Sequence, residues 1–240
     1  MAVQTTAADR HLRSSAPMGN LSVQSPFSIS LWIKATWNSG TRLSMVGIYG
    51  GADDTPLLPP ITGLQIGTSL GNNDLSCWTW GGQIMVSTAT NFMNAYNNVW
   101  AHIVYTYDGT THRIYLNSTL VASDTATQQP GILNQVYING YPGGGTNEVS
   151  AYQIDRYVLF RRTLAPDEIL TVYHSRGWRH SNIYQAVCRY EFDELGEGTS
   201  CPLAVDYTGN GHQLTSEGAG ATMTHAYINN IGKSNMRVVQ

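Results

Sequence analysis

The sequence predicts an all-β protein, folded as an antiparallel β-sandwich with one short helix near residues 165–175. Short stretches of alternating apolar and polar residues recur along the 240-residue chain, separated by residues typical of turns. The composition agrees, because 14 Tyr, 6 Trp and 24 Gly suit strands and turns, while only 12% of the residues are charged. A sandwich can span this whole length as a single domain.

Residues 99–121 are the most strongly patterned stretch and predict the central hairpin of the sandwich. Residues 100–107 carry large side chains on both alternating faces, and residues 112–117 return in the same way. Asp108-Gly109 supplies the backbone conformation that a tight two-residue turn requires. Apolar side chains do not recur at three and four residues, which argues against a helix.

Further strands are predicted on both sides of this hairpin. The clearest covers residues 26–34, where Phe27, Ile29, Leu31 and Ile33 share one face. The other predicted strands cover residues 11–14, 43–49, 63–67, 75–80, 83–88, 135–139 and 150–160.

One segment carries the signals of a helix start. Pro166 stands in the predicted first turn, where its missing N–H group costs no hydrogen bond. Two acidic residues follow it, and negative charge is favoured at the start of a helix. The predicted cap is Thr163 or Ala165, and the helix is expected to end near residues 175–177.

The charge balance and hydropathy argue against several classes of partner. The net charge is −3 and acidic and basic residues are interspersed, so no basic surface for nucleic acid is predicted. No apolar run approaches the roughly 20 residues that cross a bilayer, so membrane insertion is not expected. The first 13 residues lack the apolar core of a signal peptide, and we expect synthesis in a host cytoplasm.

The three cysteines, Cys77, Cys188 and Cys201, stand at spacings that fit no metal site. A disulfide between Cys188 and Cys201 is one interpretation. Buried thiols are the favoured one, because no secretory signal is seen.

Three segments resemble a known family. They are residues 27–33, the hairpin at residues 100–117, and residues 154–169, which join a strand to the predicted helix. As a set they resemble the laminin-G-like group of the concanavalin A-like lectin and glucanase superfamily. The resemblance covers residues 10–175 and implies a concanavalin A-like jelly roll.

A fourth match to the same family stands out of its usual order. Residues 189–212 resemble the strand and turn that open the fold, yet here they come late in the chain. A truncated second copy and a circular permutation both explain this order. The 29 residues after Gly211 are too few to bury a second core, which favours permutation. The predicted organisation is an arm at residues 1–9 and one permuted sandwich at residues 10–240, in which residues 188–220 supply the opening strand and turn and residues 221–240 form a closing strand or an arm.

A glycosidase needs two carboxylates at a defined separation. Glu191 and Asp193 lie two residues apart and resemble the acid pair of β-glucanases with this fold. Those enzymes place a further glutamate two or three residues after the aspartate, where this chain has Leu195 and Gly196. We therefore predict no catalytic residues and no enzymatic activity, since a fold alone does not imply chemistry.

Jelly rolls of this type often bind calcium at the edge of the sandwich. The resemblance assigns that role to Asp155, Asp193 and Asp206. The alternative needs no metal: Asp206 caps an Asx-turn and Asp155 accepts hydrogen bonds within a strand.

Sugar binding needs exposed aromatic platforms beside polar groups. The sequence offers two groups of candidates, one around residue 79 and one in the central hairpin. They are Trp78 and Trp80, and Tyr105, Tyr107 and Tyr115. The same aromatic residues also suit core packing or contacts between subunits.

The sequence resembles stand-alone laminin-G-like proteins on tailed-phage virions. We therefore expect a non-enzymatic structural or decoration protein of a virus particle, with attachment to surface glycans as an additional role. Few charges occur at residues 1–9 and 221–240, which suits ordering against copies of itself and other particle proteins. The main alternative is a calcium-assisted, carbohydrate-binding adhesion module. A glycoside hydrolase is the third hypothesis.

Overall fold

The structure, a computed structural model, describes residues 2–5, 11–14, 25–37, 43–50, 62–69, 71–79, 83–125, 135–138, 152–175, 186–192, 203–217 and 224–226. Within these ranges the chain forms 16 strands, one α-helix and one 3-10 helix. The strands are β1 (Ala2–Thr5), β2 (His11–Ser14), β3 (Phe27–Ala35), β4 (Leu43–Gly50), β5 (Thr62–Thr68), β6 (Ser76–Thr79), β7 (Ile84–Ser87), β8 (Ala101–Tyr107), β9 (His112–Leu116), β10 (Thr119–Asp124), β11 (Gln135–Ile138), β12 (Tyr152–Phe160), β13 (Ala186–Tyr190), β14 (Leu203–Ala204), β15 (Leu214–Glu217) and β16 (Thr224–Ala226). The α-helix, α1, covers Pro166–Ser175, and the 3-10 helix covers Phe92–Tyr96.

The described strands form two antiparallel sheets of eight strands each. Sheet I has the order β10-β9-β8-β3-β12-β1-β16, and β13 also pairs with β12. Sheet II has the order β14-β15-β2-β11-β4-β5-β6-β7. This architecture confirms the predicted all-β sandwich with one short helix.

The core lies between the two sheets and follows from strand alternation. On β3, Phe27, Ile29, Leu31 and Ile33 are buried in it, as the sequence pattern predicts. Sheet II contributes side chains such as Ile66 from the facing side. Burying a side chain of this size stabilises the fold by about 1.5–3 kcal/mol.

The central hairpin is present, but its predicted two-residue turn is wrong in length. Tyr107 pairs with His112, so four residues, 108–111, connect β8 to β9. Asp108 organises this loop, because its Oδ1 accepts hydrogen bonds from the N–H groups of Thr110 (3.0 Å) and Thr111 (2.8 Å). The side-chain hydrogen bonds of aspartate therefore shape this connection.

A two-residue turn occurs at the next connection instead. Leu116 pairs with Thr119, and Asn117 and Ser118 between them have φ angles of 49° and 68°. Two consecutive positive φ angles define the turn type that best matches the twist of a hairpin. Asn117 adds a hydrogen bond of 2.9 Å from the N–H of His102 to its Oδ1.

β12 is the strand around which sheet I is arranged. One of its edges pairs with β3, from Tyr152 to Phe160. The other edge is divided, since β1 pairs with residues 152–154 and β13 pairs with residues 157–160. The division falls at a β-bulge, where Arg156 has a φ of 51°. At a bulge the regular alternation of the strand is interrupted, so nearby side chains point to a different face from the one that alternation predicts.

The late part of the chain adds strands to both sheets. β13 pairs with β12, β15 pairs with β2, and β16 pairs with β1. Residues 2–5, which the sequence analysis assigned to an arm, form β1 inside sheet I. On these pairings we propose, as before, that the chain is one permuted sandwich.

Helix α1 lies against the outer face of sheet I. Ile169 packs there with Val104, Val158 and Phe160. Its start matches the predicted signals, because the Glu168 carboxylate accepts a hydrogen bond of 2.9 Å from the Ala165 N–H. No helix in the described ranges is long and apolar enough to cross a membrane.

One hydrogen bond joins the two sheets through the core and gives a test of the packing. The hydroxyl of Tyr152 on β12 donates to the carbonyl oxygen of Met45 on β4, at 2.8 Å. Tyr152→Phe leaves that buried carbonyl without this partner, so we expect the free energy of unfolding to fall by about 1–3 kcal/mol. Chemical denaturation measures this change.

The matched control is Tyr115→Phe. Tyr115 is also buried, but its hydroxyl makes no hydrogen bond within the described residues. We expect a change below about 0.5 kcal/mol. Equal losses in the two variants would show that the bond between the sheets contributes nothing specific.

Candidate functional site

The outer face of sheet I carries an aromatic cluster beneath α1. The Trp32 ring stacks on Tyr173 of the helix, with centroids 5.6 Å apart, and His102 lies 5.1 Å from Trp32. Ser30 Oγ is 2.8 Å from His102 Nε2. Burial lowers the pKa of His102 to about 3. The imidazole is therefore neutral at physiological pH, and the cluster anchors the helix.

Four charged residues meet at the bulge of β12 on the same face, and we call them the seam cluster: Asp155, Arg156, Arg189 and Glu191. Arg156 Nε lies 3.4 Å from Asp155 Oδ2 and 3.9 Å from Glu191 Oε2. Arg189 forms an ion pair with Glu191. With both carboxylates nearly fully buried, the cluster presents no open acid pair to a substrate.

Asp155 is the most perturbed member of this cluster. Its side chain is 0% exposed, and neither carboxylate oxygen accepts a hydrogen bond of good geometry. Burial raises its pKa to about 7, although the nearby Arg156 guanidinium acts in the opposite direction. Protonation of this carboxyl group is therefore much easier than that of an exposed aspartate.

The predicted calcium ligands are not assembled within the described residues. No group of three or more His, Cys, Asp or Glu side chains there is arranged to hold a metal ion. Asp206 instead closes an Asx-turn, as the alternative interpretation held: its Oδ1 accepts from the N–H groups of Thr208 (3.0 Å) and Arg189 (3.1 Å). Asp193 lies outside the described residues. Calcium binding stays a prediction.

The predicted aromatic platforms are buried in this structure. Tyr105 and Tyr107 point into the core, where Tyr105 contacts Phe27 and the Tyr105 hydroxyl lies 2.7 Å from His112 Nδ1. Tyr115 packs on the outer face of sheet I with the residues under α1. Each of these three rings is at most 6% exposed, so none presents an open face to a ligand in this conformation. Trp80 lies outside the described residues.

Trp78 is also buried, but it belongs to a different surface. Consecutive register pairs connect Arg13, Tyr137, Gly47, Gln65 and Trp78, each on its own strand of sheet II. We call these five residues the outer row. They alternate with core residues along their strands, so their side chains point away from the space between the sheets.

The outer row combines two aromatic residues with an amide and a guanidinium. Trp78 Nε1 donates a hydrogen bond to Gln65 Oε1, which fixes the indole and the amide relative to each other. The exposed fractions of Trp78, Gln65 and Tyr137 are 2%, 3% and 1%. A ligand can therefore reach these three residues only if this face opens.

The centre of this face is poor in side chains. Gly47 stands in the outer row on β4, and Gly63 and Gly67 flank Gln65 on the same face of β5. A glycine inside a strand often marks a place where a ligand or another backbone approaches closely. At the β6–β7 side, Asp74 accepts hydrogen bonds from neighbouring serine side chains and is already satisfied.

The sequence patterns indicated Trp78 as a candidate residue but did not indicate Arg13, Tyr137 or Gln65. Alternation alone places each of them on the outward side of its strand. The row becomes visible only with the strand order of sheet II, in which β2, β11 and β4 are neighbours although they are distant in sequence.

Comparison with known proteins agrees with this fold. The model of a family described as the concanavalin A-like lectin/glucanases superfamily matches residues 7–170. The chain belongs to that superfamily. No curated protein is similar enough in sequence to be matched.

Solved structures show the same fold at low sequence identity. A Bacteroides ovatus protein, provisionally named a carbohydrate binding protein, is 15% identical with a TM-score of 0.57, over 93% of this chain and 62% of that one. The binding domain of botulinum neurotoxin serotype D is 14% identical with a TM-score of 0.51, over 72% of this chain and 42% of that one. The ligand binding domain of the same toxin, in complex with N-acetylneuraminic acid, is 14% identical with a TM-score of 0.50, over the same shares of the two chains. This superfamily member therefore spans less than two thirds of each of these structures.

The seam cluster predicts an unusual pH dependence of stability. The folded pKa of Asp155, about 7, lies above its ordinary value of 3.8, so the folded state binds more protons between these values. The free energy of unfolding should therefore fall as pH rises through this window, by up to about 1.4 kcal/mol per pH unit, and level off above it. Asp155→Asn should remove this fall and stabilise the protein most at pH 8.

Denaturant unfolding of both proteins from pH 4 to pH 8 measures the effect. Asp124→Asn is the control, because Asp124 is an exposed carboxylate at the end of β10. Parallel pH profiles for the wild type and Asp155→Asn would contradict the prediction.

Proposed function

We propose that this chain is a non-enzymatic carbohydrate-binding module and that its ligand contacts the outer face of sheet II. The observation that carries the proposal is the outer row, where two aromatic residues, an amide and a guanidinium line up around a glycine-rich centre. Aromatic faces beside a few polar groups are what sugar recognition requires.

The outer face of sheet I is less suited to a ligand, because helix α1 covers it and the Trp32 ring there is already stacked on Tyr173. Two proteins with this fold are described by names that mention carbohydrate or N-acetylneuraminic acid, which agrees with a sugar ligand for this chain.

The absence of catalysis is part of the proposal. Glu191, the described member of the predicted acid pair, is nearly fully buried and forms an ion pair with Arg189. A general acid must reach the glycosidic oxygen. A buried carboxylate already bound to guanidinium groups is poorly suited to that role.

A place on a virus particle is the second part of the proposal. Edge strands β7 and β10 contact each other at one side of the sandwich and carry exposed Ile84 and Leu120. Exposed apolar residues on edge strands suit contacts with further subunits. We propose that copies of this chain decorate a phage virion and bring the outer row to surface glycans.

A glycan array with purified protein tests the carbohydrate proposal. We expect binding to at least one polysaccharide class, and Trp78→Ala should weaken it by at least about tenfold, because an aromatic contact is lost. Trp78→Phe, which keeps an aromatic face, should retain part of the affinity.

Trp32→Ala is the matched control, since Trp32 is also a buried tryptophan and lies on the opposite outer face. It should leave affinity unchanged in protein shown to be folded. If the folded wild type binds no glycan on the array, the carbohydrate proposal is wrong. If both tryptophan substitutions weaken binding equally, the assignment of the site to sheet II is wrong.

The particle role is tested on virions purified from the native source. Mass spectrometry should detect this chain at a fixed ratio to the major capsid protein, and antibody labelling should mark the particle surface in electron micrographs. Recovery of the chain only as a free monomer would count against the role.

A further inference from the structure

We propose that Arg156 is a built-in cation of the seam cluster and takes the place of the calcium ion that the sequence resemblance assigns to Asp155. The proposal concerns the stability of the fold and does not depend on carbohydrate binding. It follows from the burial of two carboxylates, the position of the Arg156 guanidinium and the charge balance of the cluster.

Two carboxylates lie buried at the seam. Asp155 is 0% exposed and Glu191 is 4% exposed. Burying a charged group costs free energy unless an opposite charge lies beside it, and a second charge of the same sign adds to that cost. The seam therefore needs positive charge in contact with both carboxylates.

The bulge of β12 brings the guanidinium of Arg156 to this position. Strict alternation from Ile154, which points into the core, would send the side chain of residue 156 into the core as well. Instead, the φ of Arg156 is 51°, and its Nε lies 3.4 Å from Asp155 Oδ2 and 3.9 Å from Glu191 Oε2. A positive φ is uncommon for residues other than glycine and persists where the surrounding structure requires it. One guanidinium thus contacts both carboxylates.

This guanidinium occupies the space that a bridging calcium ion would need. Calcium binds carboxylate oxygens at about 2.3–2.6 Å. An ion held by both Asp155 and Glu191 would have to lie between them, where Arg156 Nε already stands. The residues of the seam cluster therefore do not fit calcium.

The charge balance leads to the same result. Arg189 forms an ion pair with Glu191, so the seam cluster contains two carboxylates and two guanidinium groups. A divalent cation added to this neutral set would leave two positive charges uncompensated in a buried place, which is strongly unfavourable.

Removal of the Arg156 side chain should convert the cluster into a cation site. This side chain is 11% exposed and contacts the fully buried Asp155, so its loss frees the carboxylates and opens a path to them from solvent. Glycine also adopts a φ near 51° without strain. We expect Arg156→Gly to be less stable than the wild type in calcium-free buffer and to regain stability when calcium is added.

Thermal unfolding with and without calcium tests the proposal. At pH 8, about 10 mM CaCl₂ should raise the Tm of Arg156→Gly by roughly 3 °C or more, as expected for a weak site with a Kd of about 1 mM. The Tm of the wild type should change by less than about 1 °C. Arg113→Ala is the control, because Arg113 pairs with the single, partly exposed carboxylate of Asp108, and its Tm should not respond to calcium.

Terbium luminescence locates the ion. Tb³⁺ binds to calcium sites and is excited through a nearby tryptophan, and Trp32 on β3 pairs directly with Asp155 on β12. Luminescence sensitised by tryptophan should appear in Arg156→Gly and not in the wild type. It should be lost when Trp32→Phe is added to Arg156→Gly.

A second variant keeps the test informative where Arg156→Gly is poorly folded. Arg156→Gln keeps most of the length of the side chain without its charge, and its Tm should also rise with calcium. Arg156→Lys keeps the positive charge, and its Tm should not respond.

Two results would overturn the proposal. A calcium-induced rise in Tm as large in the wild type as in Arg156→Gly would show that the guanidinium does not exclude the ion. Absence of a calcium response in both Arg156→Gly and Arg156→Gln would show that Arg156 does not act in place of a metal ion.

Discussion

Both edges of β12 are hydrogen-bonded inside the sandwich, and most of the arrangement of sheet I depends on this. A buried strand cannot leave backbone N–H and C=O groups without partners, so each edge needs a neighbour along its length. β3 fills one edge, and two strands from opposite ends of the sequence, β1 and β13, divide the other. Their junction coincides with the bulge at Arg156, and β13 leads directly into Glu191. The seam cluster therefore forms because the strand order brings the end of β13 next to the bulge of β12.

Two buried titratable groups on sheet I respond to pH in opposite ways. The folded pKa of Asp155 lies above its ordinary value, so acid favours the folded state through this group. The folded pKa of His102 lies below its ordinary value of 6.5, so protonation of the unfolded chain removes stability as pH falls from 6.5 towards 3. The two windows overlap between about pH 4 and pH 6.5, where their slopes oppose each other.

Local patterns in the sequence were sufficient for much of the fold. Residues 26–34 and 150–160 alternate strongly, and the strands found there differ by one or two residues. Helix α1 begins at Pro166 because its start signals are contained in four consecutive residues. The four-residue loop after β8 was missed, since the length of a turn depends on which residues pair across it.

Features that depend on pairing between strands far apart in the sequence could not be predicted from local patterns. β1 has no strong alternation of its own, and it is a strand because β12 and β16 lie on either side of it. Trp78 shows the same limit at the candidate site. Its residue type suggested a sugar platform, but its burial and its neighbours Gln65 and Tyr137 follow from the strand order of sheet II.

The division of one edge of β12 between two partners also has a mechanical consequence. β1 is held to β12 by three register pairs and does not pair with β13. A load that peels β1 and β16 away as a ribbon would stop at the bulge, leaving the ladder of β12 with β3 and β13 intact. Separation of β1 and β16 from β12 therefore need not disrupt the pairing of β12 with β3 and β13.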